Sequence, residues 1–182
     1  MPKAQKLRLI SGQFGGRYIL TPPTSATQPM SNRARQAIFN RLRGELKDSL
    51  VLDAFAGSGA LGLEALSLGA RWVDFVDQNP LALKTIQKNL ALLYRSTPFP
   101  AALFLSFTKL AGRSYDFIFA DPPYDNPQYE LIPLLIQLLK PSGTLILSHP
   151  AVPPPPNFDH LKSLVQKKYA AANLNFYLKN NT

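Results

Sequence analysis

Asp121-Pro122-Pro123-Tyr124 follows directly on the apolar run Phe117-Ile118-Phe119-Ala120. Proline has no N–H to give a β-ladder, so a strand that reaches this point must stop. An acid and a flat ring are then held at the carboxyl end of a buried strand, where open parallel sheets bind ligands. A carboxylate, backbone carbonyls freed by proline and an aromatic face are together suited to gripping the exocyclic amine of a planar base. Hydrogen bonds from that amine to Asp121 and to the Pro122 carbonyl favour a pyramidal nitrogen and stabilise the charge developing on it. Tyr124 is expected to stack on the base through its ring, so that loss of its hydroxyl is nearly silent.

A second constellation lies upstream. Val51-Leu52-Asp53-Ala54-Phe55-Ala56-Gly57-Ser58-Gly59-Ala60-Leu61-Gly62 reads as strand, tight turn and helix, with Gly57, Gly59 and Gly62 spaced G-x-G-x-x-G. That spacing fits NAD, FAD and S-adenosylmethionine (SAM) alike, because each needs close backbone approach. Asp77, 24 residues after Asp53, stands where a carboxylate accepts from both hydroxyls of a ribose. Asp53 and Phe55 ahead of the glycines, with the later Asp-Pro-Pro-Tyr, select SAM. Nothing supplies a nicotinamide partner, or a catalytic His or Lys for hydride chemistry.

These residues need a sheet to position them. Residues 7–20 predict a β-hairpin with an irregular turn, and residues 21–30, rich in Pro, Thr and Ser, a loop. Ser31 is placed to cap a helix running to about Arg43, with Ala37, Ile38 and Leu42 facing inward. Strands are expected at 49–54, 71–76, 101–105, 116–120 and 143–148, and helices at 57–68, 80–94 and 126–139. That alternation indicates a parallel sheet with helices on both faces. Pro150 to Pro156 reads as a surface connection in polyproline geometry, and 161–169 with 173–178 as a final hairpin completing the sheet.

The chain has 182 residues and a formal net charge of +9, with no cysteine and two histidines. Disulfides, a Cys-ligated metal and a thiol nucleophile are excluded, and no metal site is expected. No signal peptide or membrane-length apolar run is read, so a cytoplasmic protein is expected. Residues 1–47 hold nine Lys/Arg against one acid, Glu45, whereas 48–182 hold eleven basic and ten acidic residues. Such asymmetry is the electrostatic footprint of a polyanion partner.

At this point the sequence resembles the RsmD-type 16S rRNA guanine-N2 methyltransferases. The resemblance rests on Asp53-Ala-Phe-Ala-Gly-Ser-Gly-Ala-Leu-Gly-Leu-Glu-Ala-Leu and Asp121-Pro-Pro-Tyr. It is narrowed by Arg8-Leu-Ile-Ser-Gly, Gly16-Arg17, Pro22-Pro23 and Pro29-Met-Ser-Asn-Arg-Ala-Arg-Gln-Ala-Ile-Phe-Asn. It implies a single Rossmann-like SAM-dependent methyltransferase domain, α/β with a mostly parallel sheet. Residues 1–45 would form a basic hairpin–helix extension and 46–182 the catalytic core. It implies Asp121, Pro122, Pro123 and Tyr124 at the reacting amine. Cofactor contacts would come from Asp53, Phe55, Ala56, Gly57, Ser58, Gly59, Asp77, Gln78, Ser106 and Asp121. Arg8, Arg17, Arg33, Arg35 and Arg41 would bind RNA, on 16S rRNA or a small-subunit assembly intermediate, with the protein a monomer. Departures from the family pattern are Gln28-Pro29-Met30, Asn32-Arg33, Gln36, and Leu105 or Ser106 after the strand at 101–105. An N6-adenine methyltransferase uses the same amine grip, and a non-catalytic RNA-binding module would keep the same fold. A glutamine-modifying protein methyltransferase is disfavoured by Asp rather than Asn before the prolines.

Overall fold

Seven strands form the central sheet: β3 (Leu50–Ala54), β4 (Trp72–Val76), β5 (Ala101–Phe104), β6 (Tyr115–Ala120), β7 (Leu139–His149), β8 (Leu161–Lys168) and β9 (Asn173–Lys179). They lie in the order β5-β4-β3-β6-β7-β9-β8. The five strands from β5 to β7 pair in parallel, and β9 runs antiparallel to both its neighbours. A separate antiparallel hairpin, β1 (Lys6–Arg8) and β2 (Tyr18–Leu20), precedes them. The helices are α1 (Asn32–Arg41), α2 (Ala60–Ser67), α3 (Pro80–Tyr94) and α4 (Ile132–Leu138). This computed structural model describes residues 5–23, 30–95, 99–104, 106–152, 154–169 and 173–180. Gln28, Pro29, Leu105, Pro153 and most of the loop expected at 21–30 lie outside them. Among the described residues no helix is long and apolar enough to cross a membrane.

Successive side chains on a strand point to opposite faces, and two cores result. Val51, Val73, Phe75, Phe117, Phe119 and Ile146 pack with α1, α2, α3 and the hairpin. Leu52, Ala54, Val76, Ile118, Ala120, Leu145 and Leu147 pack with α4. Strands buried on both faces explain the near-continuous apolar runs in the sequence.

Several boundaries differ from expectation for local reasons. The α1 helix, capped by Ser31 accepting from the Ala34 amide at 3.2 Å, ends at Arg41. Its inward residues include Arg35 and Phe39 as well as Ile38. The helix expected at 126–139 opens as a 3-10 turn at Tyr129–Leu131 and becomes α-helical only at Ile132. Gln128 there adopts a left-handed conformation, φ 45°, and Pro133 falls in the first α-helical turn, where its missing N–H costs nothing. Leu139–Ser142 continue into β7, which is longer than the strand expected at 143–148.

The amino-terminal extension is built into the same core. Glu64, on α2, is fully buried; its Oε1 accepts from the Ile10 amide at 2.6 Å and its Oε2 from Ser11 at 3.1 Å. Arg35 Nη1 lies 3.3 Å from Glu64 Oε1, and its Nη2 donates to the Arg8 carbonyl and to Asn32 Oδ1. Burial pushes the Glu64 carboxyl up, opposed by the two amides and by Arg35. Asn89, buried on α3, accepts from the Leu20 amide and donates to the carbonyls of Leu20 and Ser58. One side chain thereby ties β2 to the glycine loop. Replacing Arg35 by Ala strips the buried carboxylate of its partner and is expected to cost about 3–5 kcal/mol, measured as a lower midpoint in urea unfolding.

Candidate active site

Phe104, Val76, Ala54, Ala120 and Leu147 stand in one continuous register across five strands. The residues after Val76, Ala54 and Ala120 leave the sheet, and Asp77, Phe55 and Asp121 stand in a row along its carboxyl edge with Ser148, which follows Leu147 within β7. Neighbouring strands lie about 4.8 Å apart, close enough for side chains in that row to bond. From β3 the chain winds outward to β4 and β5, then returns to β6 on the other side. The crevice between β3 and β6 is therefore the topological switch point, where this class of sheet binds ligands.

The glycine loop is held by carboxylates. Asp77 accepts from the Gly57 amide through Oδ2 and from the Asn79 amide through Oδ1, each at 2.8 Å. Carboxylate oxygens have further lone pairs, so both remain able to take ribose hydroxyls. Asp53 accepts from the Gly62 amide at 2.8 Å and is only 1% exposed. It fastens the first turn of α2 from beneath. Burial pushes its pKa well up, the Gly62 bond pulls it down, and the nearby charges of Asp121 and Asp77 add to the rise. Ala56 donates to the Val76 carbonyl, and Gly59 to the Ala56 carbonyl. Ser58 is buried, its carbonyl bonded to Asn89.

Two glycines are sterically required. Gly59 has φ +76°, and a Cβ there would lie 2.9 Å from Ile86 Cγ1. A Cβ on Gly62 would lie 2.3 Å from the Phe75 ring, so only glycine lets α2 rest on β4 this closely. Phe55, with φ 61°, carries backbone strain of the kind that clusters at ligand sites. Its ring meets Phe107 edge-on, centroids 5.6 Å apart. Ser106 is exposed and caps the 3-10 turn Phe107–Leu110, accepting from the Thr108 amide at 3.2 Å. Gln78 is exposed beside Asp77.

This loop suits SAM better than a dinucleotide. A pyrophosphate needs free amides at the helix start, yet the Gly57 and Gly62 amides already serve carboxylates. Gathered acids repel phosphate and favour the positive sulfonium of SAM.

Directly after β6, Asp121 is half-buried and Pro122 buried, and the Pro123 carbonyl accepts from Asn126 at 3.1 Å to close the turn. Burial pushes the Asp121 carboxyl up to about 6, against a hydrogen bond from Ser148. The Tyr124 hydroxyl lies 2.6 Å from Ser148 Oγ. Burial, then the Asp121 charge, pushes that phenol up to about 12, and the Ser148 bond opposes them. The hydroxyl is therefore engaged, contrary to the expectation that only the ring counts. Sequence reasoning missed Ser148; the signal was a hydroxyl as the last residue of the strand expected at 143–148, which lies beside β6.

The arginines divide. Arg8, Arg33 and Arg41 are exposed, Arg41 resting over the Phe176 ring. Arg35 is not an RNA contact: it is 1% exposed and committed to Glu64. Arg17 donates to the Leu92 and Leu93 carbonyls, capping the negative end of α3. Counting charge along a sequence cannot separate these roles.

The family model described as Conserved hypothetical protein 95 matches residues 7–178. The chain belongs to that family. Ribosomal RNA small subunit methyltransferase D of Escherichia coli K12 is 34% identical over 141 residues, covering 77% of this chain and 70% of the relative. The putative rRNA methyltransferase YlbH of Bacillus subtilis 168 is 32% identical over 154 residues, covering 79% and 82% respectively. The solved structure of the putative methyltransferase yhhF from Escherichia coli superposes with a TM-score of 0.85 at 27% identity, covering 98% of this chain and all of that one. The fold is that of the SAM-dependent methyltransferases. Family and fold together make this chain a methyltransferase, and its glycine loop fits SAM. Replacing Asp77 by Ala removes two bonds that hold the loop. SAM affinity measured by calorimetry is expected to weaken by about 1–3 kcal/mol.

Proposed function

We propose that this protein transfers a methyl group from SAM to the exocyclic N2 amine of a guanine in small-subunit rRNA, acting as a monomer on the RNA or on an assembly intermediate. The observation that carries the reading is the Asp121 carboxylate, held beside Tyr124 at the switch point next to the glycine loop. SAM, when bound, supplies the methyl group together with its own leaving group. The residues of the chain do the rest. Asp77 and the Gly57–Gly59 turn hold the ribose and methionine portions, and Phe55 with Phe107 flanks the adenine. Asp121 accepts the amine's hydrogens, steadies the positive charge on nitrogen and can take up the proton that nitrogen sheds. Tyr124 stacks on the base, which is flipped out or already looped. Arg8, Arg33, Arg41 and Arg43 lie exposed on the extension and are assigned to the phosphate backbone.

Asp121 serves this reaction as an anion, so the rate should fall as pH drops through about 6. Stability runs the other way. The folded pKa lies above the ordinary aspartate value of 3.8, so between the two the folded state binds more protons than the unfolded one. Stability therefore declines as pH rises through that window. Asp121→Asn should abolish this decline in thermal melts, without loss of melting temperature at neutral pH. Asp121→Ala should slow single-turnover methylation by roughly 10²-fold or more.

The deciding experiment follows tritium from labelled SAM into bare rRNA and into protein-loaded small subunits, and identifies the product nucleoside by mass spectrometry. N2-methylguanosine is expected. N6-methyladenosine would replace the proposed base, and no transfer from SAM would remove the enzymatic reading. Charge reversal at Arg8, Arg33 and Arg41 should flatten the salt dependence of RNA binding, by about 0.7–0.9 in log–log slope per lost phosphate contact. An unchanged slope would reduce these arginines to a solvated surface.

A further inference from the structure

Ser148 is 1% exposed and lies on β7, directly after Leu147, the partner of Ala120. Its hydroxyl has one hydrogen to give. Asp121 is hydrogen-bonded to it, and a carboxylate only accepts. The serine hydrogen is therefore spent on Asp121. Tyr124 Oη lies 2.6 Å from Ser148 Oγ, so Ser148 is bonded to both side chains. The result is a hydrogen-bonded chain that links the Tyr124 hydroxyl, Ser148 and the Asp121 carboxylate. It joins the two side chains assigned to the base through a residue of β7, a strand that contributes neither of them.

We infer that Ser148 is a positioning residue that sets the rotation of the Asp121 carboxylate and pins the far end of the Tyr124 ring, so that amine acceptor and stacking face move as one unit. The inference rests on the base-methylating role proposed for Asp121 and Tyr124. A carboxylate with one lone pair fixed by Ser148 presents its remaining ones in set directions, and an amine nitrogen needs its acceptor at a defined angle. The Tyr124 ring is fastened at its backbone by the closed proline turn and at its hydroxyl by Ser148. It cannot swing out of the plane in which it receives a base. The other titratable group coupled to Asp121 is Asp53 on β3, which lies beneath the loop and makes no part of this chain.

The test uses the full-length protein and the variants Ser148→Ala, Ser148→Thr, Tyr124→Phe and the Ser148→Ala/Tyr124→Phe double. Two readouts are compared. The first is a carbon-13 NMR titration of the Asp121 carboxyl in the free enzyme, which needs no substrate. Ser148→Ala should move its midpoint upward from about 6, and Ser148→Thr, which keeps the hydroxyl, should return it. The second is single-turnover methylation of small-subunit RNA with SAM binding measured alongside. Ser148→Ala should lose about 10-fold or more in rate, the scale of a hydrogen bond to a charged group. SAM affinity should hold, the acid limb of the pH–rate profile should follow the NMR midpoint, and Tyr124→Phe should add little on top of Ser148→Ala. An Asp121 midpoint indifferent to Ser148→Ala overturns the inference, as do rate losses for the single variants that simply add. If the wild type methylates no RNA yet the midpoint moves and recovers as stated, the hydrogen-bond chain stands and the proposed function is what fails.

Discussion

The register of β3 against its two parallel neighbours is the constraint on which the rest of this molecule depends. Because Ala54 faces both Val76 and Ala120, the three chains leave the sheet at the same level, and the acids that follow meet around one crevice. A slip of one residue in β6 would carry Asp121 about 3.3 Å along the strand and turn it to the α4 face. The alternation of Phe117 and Phe119 on one face with Ile118 and Ala120 on the other forbids that slip. Burial of both faces thus fixes the placement of a reactive group that contributes nothing to the core itself.

Carboxylates also do structural work at the start and in the middle of α2. Asp53 occupies an amide of its first turn, Asp77 an amide of the preceding loop, and Glu64 two amides of the chain that crosses it. Donors that another nucleotide-binding sheet would offer to phosphate are satisfied internally. The preference for a cation-bearing cofactor is thereby built into the backbone of the loop. The same device docks the extension: its hairpin and α1 are held by Glu64 and Asn89, residues of the helices that flank the cofactor site.

What was legible in the sequence was what is local. Alternating apolar runs, the glycine spacing, Ser31 and Asn79 as caps and the two prolines after Asp121 each declare themselves within a few residues, and the sheet with its switch point followed from them. What was not legible depends on a partner far along the chain. Arg35 looks like any other arginine in a basic stretch until Glu64 is placed against it, 29 positions later. The structural bond that Asp53 makes to the Gly62 amide, nine positions on, is likewise invisible until α2 is laid over β3. Ser148 is an unremarked hydroxyl until β7 is laid beside β6. The late start of α4 had a local cause in Pro127 and Pro133, whose effect depends on backbone angles that the pattern of apolar residues does not carry.

The position of β9 has a consequence for how the chain is assembled during synthesis. It lies between β7 and β8, although β8 precedes it in sequence. As the chain emerges, β8 has no partner of its own, and the outer edge of β7 stays open along Thr144–His149. Closure must wait until residues 173–179 are available to pair with both. Throughout that interval Lys162, Lys167 and Lys168 line the unpaired segment, and edge lysines oppose pairing with a neighbouring nascent chain.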